Sequence, residues 1–186
     1  MRRIFWIYYK ISIEKKYFID EVRFCILMKS KFGRAGILPH ASVRNIRTRN
    51  ISICAAMNKK GLIKFKEKPG SYTSLLFKNY MVELMDDLRA HSATNCVFIT
   101  DNAEIHKTEE VSREIIERGH KIVFLPAYSP FLNPIQNSFS KWKNSVKNEE
   151  QLNDGNVHAA NMITAEDCDG YWRNMFRYLR RALNRE

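Results

Sequence analysis

A chain of 186 residues with 45% apolar content is long enough to bury one real core. Its net charge of +11 favours a polyanionic partner. No segment nears the ~20 apolar residues that cross a bilayer, and Cys25, Cys54, Cys96 and Cys168 make no CxxC pair and have no His at zinc-ligand spacing. A membrane span, a zinc finger and a disulfide-stapled scaffold are therefore excluded, and the chain reads as soluble and intracellular with reduced thiols. Arg2-Arg3 and the six apolar residues to Tyr9 are too short for a signal peptide, and no small-residue cleavage site follows.

The charge is unevenly placed. Residues 1–70 hold 17 Lys/Arg against 4 Asp/Glu, whereas residues 71–186 hold 14 against 16. No acid lies between Val22 and Lys66, and Lys29, Lys31, Arg34, Arg44, Arg47 and Arg49 fall in that block. Such a block suits nucleic acid through counterion release; the alternative is an ordinary solvated basic face.

In chain order, Lys15–Phe24 reads as a strand, rich in aromatic and branched residues. Asn50–Met57 and Leu62–Lys66 are two more, joined by Asn58-Lys59-Lys60-Gly61, a hairpin with Gly at the position needing positive φ. From Ser71 the period becomes helical, with Leu76, Tyr80, Leu84 and Leu88 on one face and Ser71 or Thr73 as cap. Cys96–Thr100 is a short apolar strand of a buried sheet centre. Thr108 then caps a helix ending at Arg118-Gly119. Ile122–Leu125 is the next strand, and Asn133-Pro134 opens a helix with Ile135, Phe139, Trp142 and Val146 inward. After a polar loop at 148–156, Tyr171, Met175, Leu179 and Leu183 mark a last helix whose outer face carries Arg173, Arg177, Arg180 and Arg181. Three strands followed by alternating helices and strands give an α/β, ribonuclease-H-like arrangement: a mixed five-stranded sheet with helices on both faces. Its first and fourth strands lie side by side at the centre.

Asp20 closes the run Tyr17-Phe18-Ile19, and Asp101 closes Val97–Thr100, so two carboxylates end neighbouring strands. Paired carboxylates suit a hard divalent cation that keeps sites open for water and phosphate. Two segments add to this: Asp101-Asn102-Ala103-Glu104-Ile105-His106, and Leu125-Pro126-Ala127-Tyr128-Ser129-Pro130-Phe131-Leu132-Asn133-Pro134-Ile135-Gln136. Together they resemble the catalytic domain of mariner-type (Tc/mariner) transposases of the DDE superfamily. That family's motif reads Asp-Asn-Ala-x-x-His, then Leu-Pro-x-Tyr-Ser-Pro-x-Leu-Asn-Pro-Ile-Glu.

The resemblance implies the same fold, magnesium or manganese in a two-ion site, and cleavage and strand transfer of DNA. It places Asp20 (within Ile19-Asp20-Glu21) and Asp101 as catalytic metal ligands and puts Gln136 where the family has glutamate. The intervening 34 residues keep the register of one large branch. A neutral amide is a poorer ligand, so the centre is expected to be weakened. No Asp or Glu precedes Glu149 on that helix, ~20 Å farther along.

Other readings stand beside these. Gln136 has a second role as the partner of Asn133 in a capping box. His106 is either a ligand or the organiser of the turn, and ranks with Asn102 and Asn133 as site-adjacent. Alternation points Glu21 to the opposite sheet face, and Glu166, Asp167 and Asp169 read as helix N-terminal charge. The expected organisation is a lead-in at 1–16 without a helix-turn-helix module, a catalytic domain at 17–147, and a loop with a basic helix at 148–186. Two functions follow: a weakened metal-dependent DNA-cleaving centre, or an inactive remnant that holds DNA or pairs with itself or another transposase subunit. Either would act in the nucleus of a eukaryote.

Overall fold

The computed structural model describes residues 11–24, 50–127, 129–148 and 160–183. Alternating side chains build one five-stranded sheet from β1 (Lys16–Phe24), β2 (Ile51–Asn58), β3 (Gly61–Pro69), β4 (Val97–Thr100) and β5 (Lys121–Phe124). The order across it is β3-β2-β1-β4-β5. β1, β2 and β3 pair antiparallel, and β4 runs parallel to β1 and β5. The expected central pairing of first and fourth strands is present, with Ile19 opposite Thr100.

Among the described residues, the four long helices are α1 (Ser74–Ala90), α2 (Glu109–Glu117), α3 (Ile135–Asn148) and α4 (Ala165–Leu183). They sort by sheet face. Tyr17, Ile19 and Phe98 meet Phe77, Leu84 and Ile115 of α1 and α2. Phe18, Val22 and Ile99 meet Phe139, Trp142, Trp172 and Met175 of α3 and α4. Asp20 therefore lies on the α3/α4 side, and Glu21 on the α1/α2 side.

Local chemistry sets the boundaries. Thr73, not Ser71, caps α1 by accepting from the Leu76 amide at 3.3 Å, and Thr108 caps α2 through Val111 at 3.4 Å. Gly119 adopts φ +78° where α2 ends, a conformation that disfavours a Cβ. The expected hairpin is present. Lys59 and Lys60 form the turn, stabilised by the Lys60 amide donating to Asn58 Oδ1 at 2.7 Å, and Gly61, at φ +151°, pairs with Asn58 as the first residue of β3. In α1 Phe77 replaces Leu76 in the fully buried stripe, which is centred on Phe77, Tyr80, Met81, Leu84 and Leu88 where α1 meets the sheet. α4 starts six residues before Tyr171, so Cys168 and Trp172 join Met175 and Leu179 inside.

α4 thus belongs to the main core. Trp172 is 1% exposed and meets Phe18 edge-on at 5.2 Å. Trp172→Ala is expected to lower unfolding free energy by about 3–5 kcal/mol in urea melts. A loss under about 1 kcal/mol would make α4 an appendage to the domain.

Candidate active site

Asp20 does not end its strand. It sits mid-β1, paired with Ala55 of β2, while β4 stops at Thr100. On β4's side the register therefore places Asp101 at the next rung beside Asp20, where β1 has lost its parallel partner. The two carboxylates interact: burial, then the charges of Asp101 and Glu21, push Asp20 up to about 7.

Asp20 is 4% exposed and has both oxygens engaged. Oδ1 accepts from the Glu21 amide at 2.7 Å. Oδ2 accepts from Asn133 Nδ2 at 2.8 Å and from Gln136 Nε2. Both amides come from the turn and first residues leading into α3, so this helix start is pinned to the centre of the sheet. The expected capping box is absent. Asn133 and Gln136 turn their side chains to Asp20, and the Asn133 backbone amide donates to Pro130 O at 3.0 Å. A buried carboxylate draws amide donors more strongly than a helix end that water can reach.

Asp101 is held differently. Its Oδ1 accepts from the Ala103 amide at 3.0 Å and faces His106 Nδ1 at 2.8 Å. The hydrogen bond from His106 outweighs partial burial and holds Asp101 below the usual carboxylate range. Its side chain is 47% exposed.

His106 is fully buried in the short turn Glu104–His106, its ring against Phe77 at 4.2 Å. Nδ1 also lies 2.9 Å from Thr100 Oγ1, and Nε2 faces both oxygens of Glu21 at 2.9 Å. Burial alone would lower its pKa; the hydrogen bonds to Asp101 and Glu21 raise it to about 9. His106 is therefore an imidazolium donating from both nitrogens. It organises the turn and links Glu21 to Asp101. Glu21 does point to the opposite face, as alternation requires, yet it reaches the site through His106. Nothing in the one-dimensional pattern reveals that link.

Asn102 is exposed beside Asp101. Lys29, Lys31, Arg34, Arg44, Arg47 and Arg49 lie outside the described residues, as do Cys25 and Tyr128. Glu166 and Asp167 occupy the first turn of α4, where Asp167 accepts from the Thr164 amide at 2.8 Å and pairs with Lys141. Asp169 instead pairs with Lys59 and Arg173, so the three acids make no metal cluster.

Among the described residues, no three Asp, Glu, His or Cys side chains converge as a metal cage. The donors at hand are two carboxylates and two amides, and one atom stands out. Asn133 Oδ1 is buried with no hydrogen-bond partner. Rotating the Asn133 and Gln136 amides would aim two carbonyl oxygens where their nitrogens now lie. An all-oxygen set of two anions and two neutral carbonyls fits a hard divalent ion, with less charge than three carboxylates supply.

The family assignment rests on sequence as well as shape. Residues 15–156 match the DDE superfamily endonuclease family. Comparison with curated proteins gives no match. Solved structures with a similar fold include the Mos1 transposase paired-end complex with left transposon end (TM-score 0.69, 19% identity, 94% of this chain and 56% of that one). The mariner Mos1 paired end complex with Mg gives TM-score 0.70 and 18% identity over the same shares of the two chains, 94% and 56%. The catalytic domain of Mos1 mariner transposase gives 0.67 and 17% identity, covering 94% of this chain and 83% of that one. This chain spans about half the length of the transposase chains in the paired-end complexes. The chain belongs to the DDE superfamily endonuclease family, and its ribonuclease-H-like fold is the one seen in the mariner transposase catalytic domain.

Proposed function

We propose that this domain is a DDE-type centre for metal-dependent DNA cleavage and strand transfer, impaired by the amide at Gln136. The supporting observation is the adjacency of Asp20 and Asp101 at the centre of the sheet, with the start of α3 closing over them. Related Mos1 complexes carry Mg, Mn and a left transposon end, which favours a divalent ion and DNA as the ligands here. Asp20, Asp101 and the carbonyls of Asn133 and Gln136 would hold the ion. When bound, it supplies Lewis-acid stabilisation of phosphoryl oxygens and a more acidic water. Asp101 contributes a carboxylate kept anionic by His106. Asp20, pushed up to about 7, must release its proton and its amide partners before it can serve as a ligand. Both steps cost free energy that a glutamate in place of Gln136 would change.

The second reading, an inactive domain that holds DNA or pairs with another transposase subunit, is favoured by the same hydrogen bond. The Gln136 amide donates to Asp20 Oδ2, occupying an oxygen that a metal ion would need. Plasmid nicking with manganese separates the two. The impaired-enzyme reading expects slow nicking that Asp101→Asn abolishes, and manganese affinity lost in Asp20→Asn and Asp101→Asn alike. No nicking by the parent, with nicking gained in Gln136→Glu, would establish the inactive reading.

A further inference from the structure

We infer that α4 and the turn before α3 form a binding platform for single-stranded DNA beside the active site. The inference rests on the proposed DNA-directed function and adds a strand class and a place. Residues 170–185 contain five arginines and no acidic residue or lysine. Within α4, Arg173, Arg177, Arg180 and Arg181 are exposed on the side opposite the buried stripe of Trp172, Met175 and Leu179. Arg173 is tied to Asp169 at 3.0 Å, and Arg177 Nη2 donates to Asn174 at 3.0 Å. Among the described residues, Arg180 and Arg181 have no ion pair in the protein. Exclusive use of Arg matters, since a guanidinium grips phosphate with two N–H groups and stacks on bases, which an ammonium cannot do.

The same surface carries an aromatic pair that the core does not use. Phe131 and Tyr178 remain 43% and 42% exposed, with their rings 5.8 Å apart. Helical spacing puts Tyr178 on the flank of α4 one turn from Arg181 and one turn from Asn174, the residue that Arg177 bonds. Phe131 lies in the turn Pro130–Leu132, two residues before Asn133, which bonds Asp20. Exposed rings beside arginines next to a phosphodiester-directed site suit unpaired bases. A stacked base presents its face to a ring only when it has left the duplex, and such stacking tolerates any sequence.

The test is fluorescence anisotropy of the full chain with a labelled 15-mer of thymidine and with a duplex of mixed sequence. Phe131→Leu/Tyr178→Leu keeps apolar bulk and removes both π faces; it is expected to weaken single-strand binding at least fivefold and duplex binding less than twofold. Tyr178→Phe alone retains affinity, because stacking does not need the hydroxyl. Arg177→Ala/Arg181→Ala is expected to flatten the single-strand salt dependence by about 1.4 in log–log slope, from ~0.7 per lost phosphate contact. Melting temperatures within a few degrees of the parent certify the folds. Equal losses on both DNAs, or none on the single strand, overturn the platform while leaving DNA binding intact. Failure of the parent to bind either DNA overturns the proposed function and the platform together.

Discussion

Gln136→Glu destabilises the domain in chelator and makes it more responsive to magnesium. In the parent, Asp20 Oδ2 accepts N–H groups from both Asn133 and Gln136. Glutamate replaces one donor with an acceptor facing an acceptor, at a carboxylate already pushed up to about 7 by burial and by Asp101 and Glu21. Position 136 is exposed, so the new side chain can swing toward water. That limits the penalty to a lost hydrogen bond and a less satisfied carboxylate, about 1–3 kcal/mol. The penalty should grow as pH rises through about 7, because protonated Asp20 can donate to the introduced carboxylate below that point and not above it. Magnesium reverses the order: with three carboxylates to neutralise it, an ion at 100 times its Kd restores about 2.7 kcal/mol. Melting curves in EDTA and in magnesium, with parent and variant side by side, give the four numbers needed. Identical melting in EDTA and no added gain from magnesium would show that Gln136 is not bonded to the site.

His106→Ala is expected to cost about 3–5 kcal/mol and to remove most of the pH dependence of stability on the alkaline side. The substitution leaves Glu21 and Asp101 without the buried cation between them, and breaking a buried ion pair on one side strands the other. The sign follows from the direction of each shift. His106 is raised from 6.5 to about 9, so its stabilisation is complete below 6.5 and is lost as pH rises through 9. Asp20 is raised from 3.8 to about 7, so the folded state also loses stability as pH rises through that window. Asp101 is lowered, and its contribution is present above 3.8 and lost on acidification. The parent should therefore be most stable at mildly acidic pH, losing on the order of 4 kcal/mol through Asp20 by about pH 7 and on the order of 3 kcal/mol more through His106 by about pH 9. In His106→Ala the limb above pH 7 should flatten while the lower limb, due to Asp20, remains. His106→Gln, which keeps one donor, should recover part of the stability and none of the alkaline limb. An unchanged alkaline limb in His106→Ala would mean that another group carries it.

Most of the sheet was legible because its strands are short, apolar and separated by turn residues. The period change after Ser71 and the caps at Thr73 and Thr108 fixed the helices to within a few residues. Asp20 and Asp101 were legible as a pair because the strand order brings them together. What escaped was tertiary in origin. The capping box at Asn133 and Gln136 was a sound local reading, and it lost to a buried carboxylate about 115 residues upstream in sequence. The Glu21–His106 contact spans 85 positions and crosses from β1 to the turn after β4; no periodicity encodes such a pairing. The start of α4 was legible in Glu166 and Asp167, whose charges stand in its first turn, whereas the burial of Cys168 and Trp172 in the main core was not, since it depends on the sheet that α4 packs against.

Asp20 and Glu21 are consecutive acids sent to opposite faces of one central strand, each with its own partners. A frame shift of β1 by a single residue would send each to the other's face. With Glu21 moved into the place of Asp20, an extra methylene would crowd Asp101, and Val22 would stand where a carboxylate now meets His106. The two acids are alike in charge and unlike in reach, so the shift would spoil both faces at once. Antiparallel pairing to β2 along Phe18–Phe24 and parallel pairing to β4 along Lys16–Ile19 hold that frame from both sides. Insertions in β1 should therefore be far less tolerated than substitutions there, whereas the hairpin turn at Lys59-Lys60 can absorb added length without disturbing the alignment of the acids.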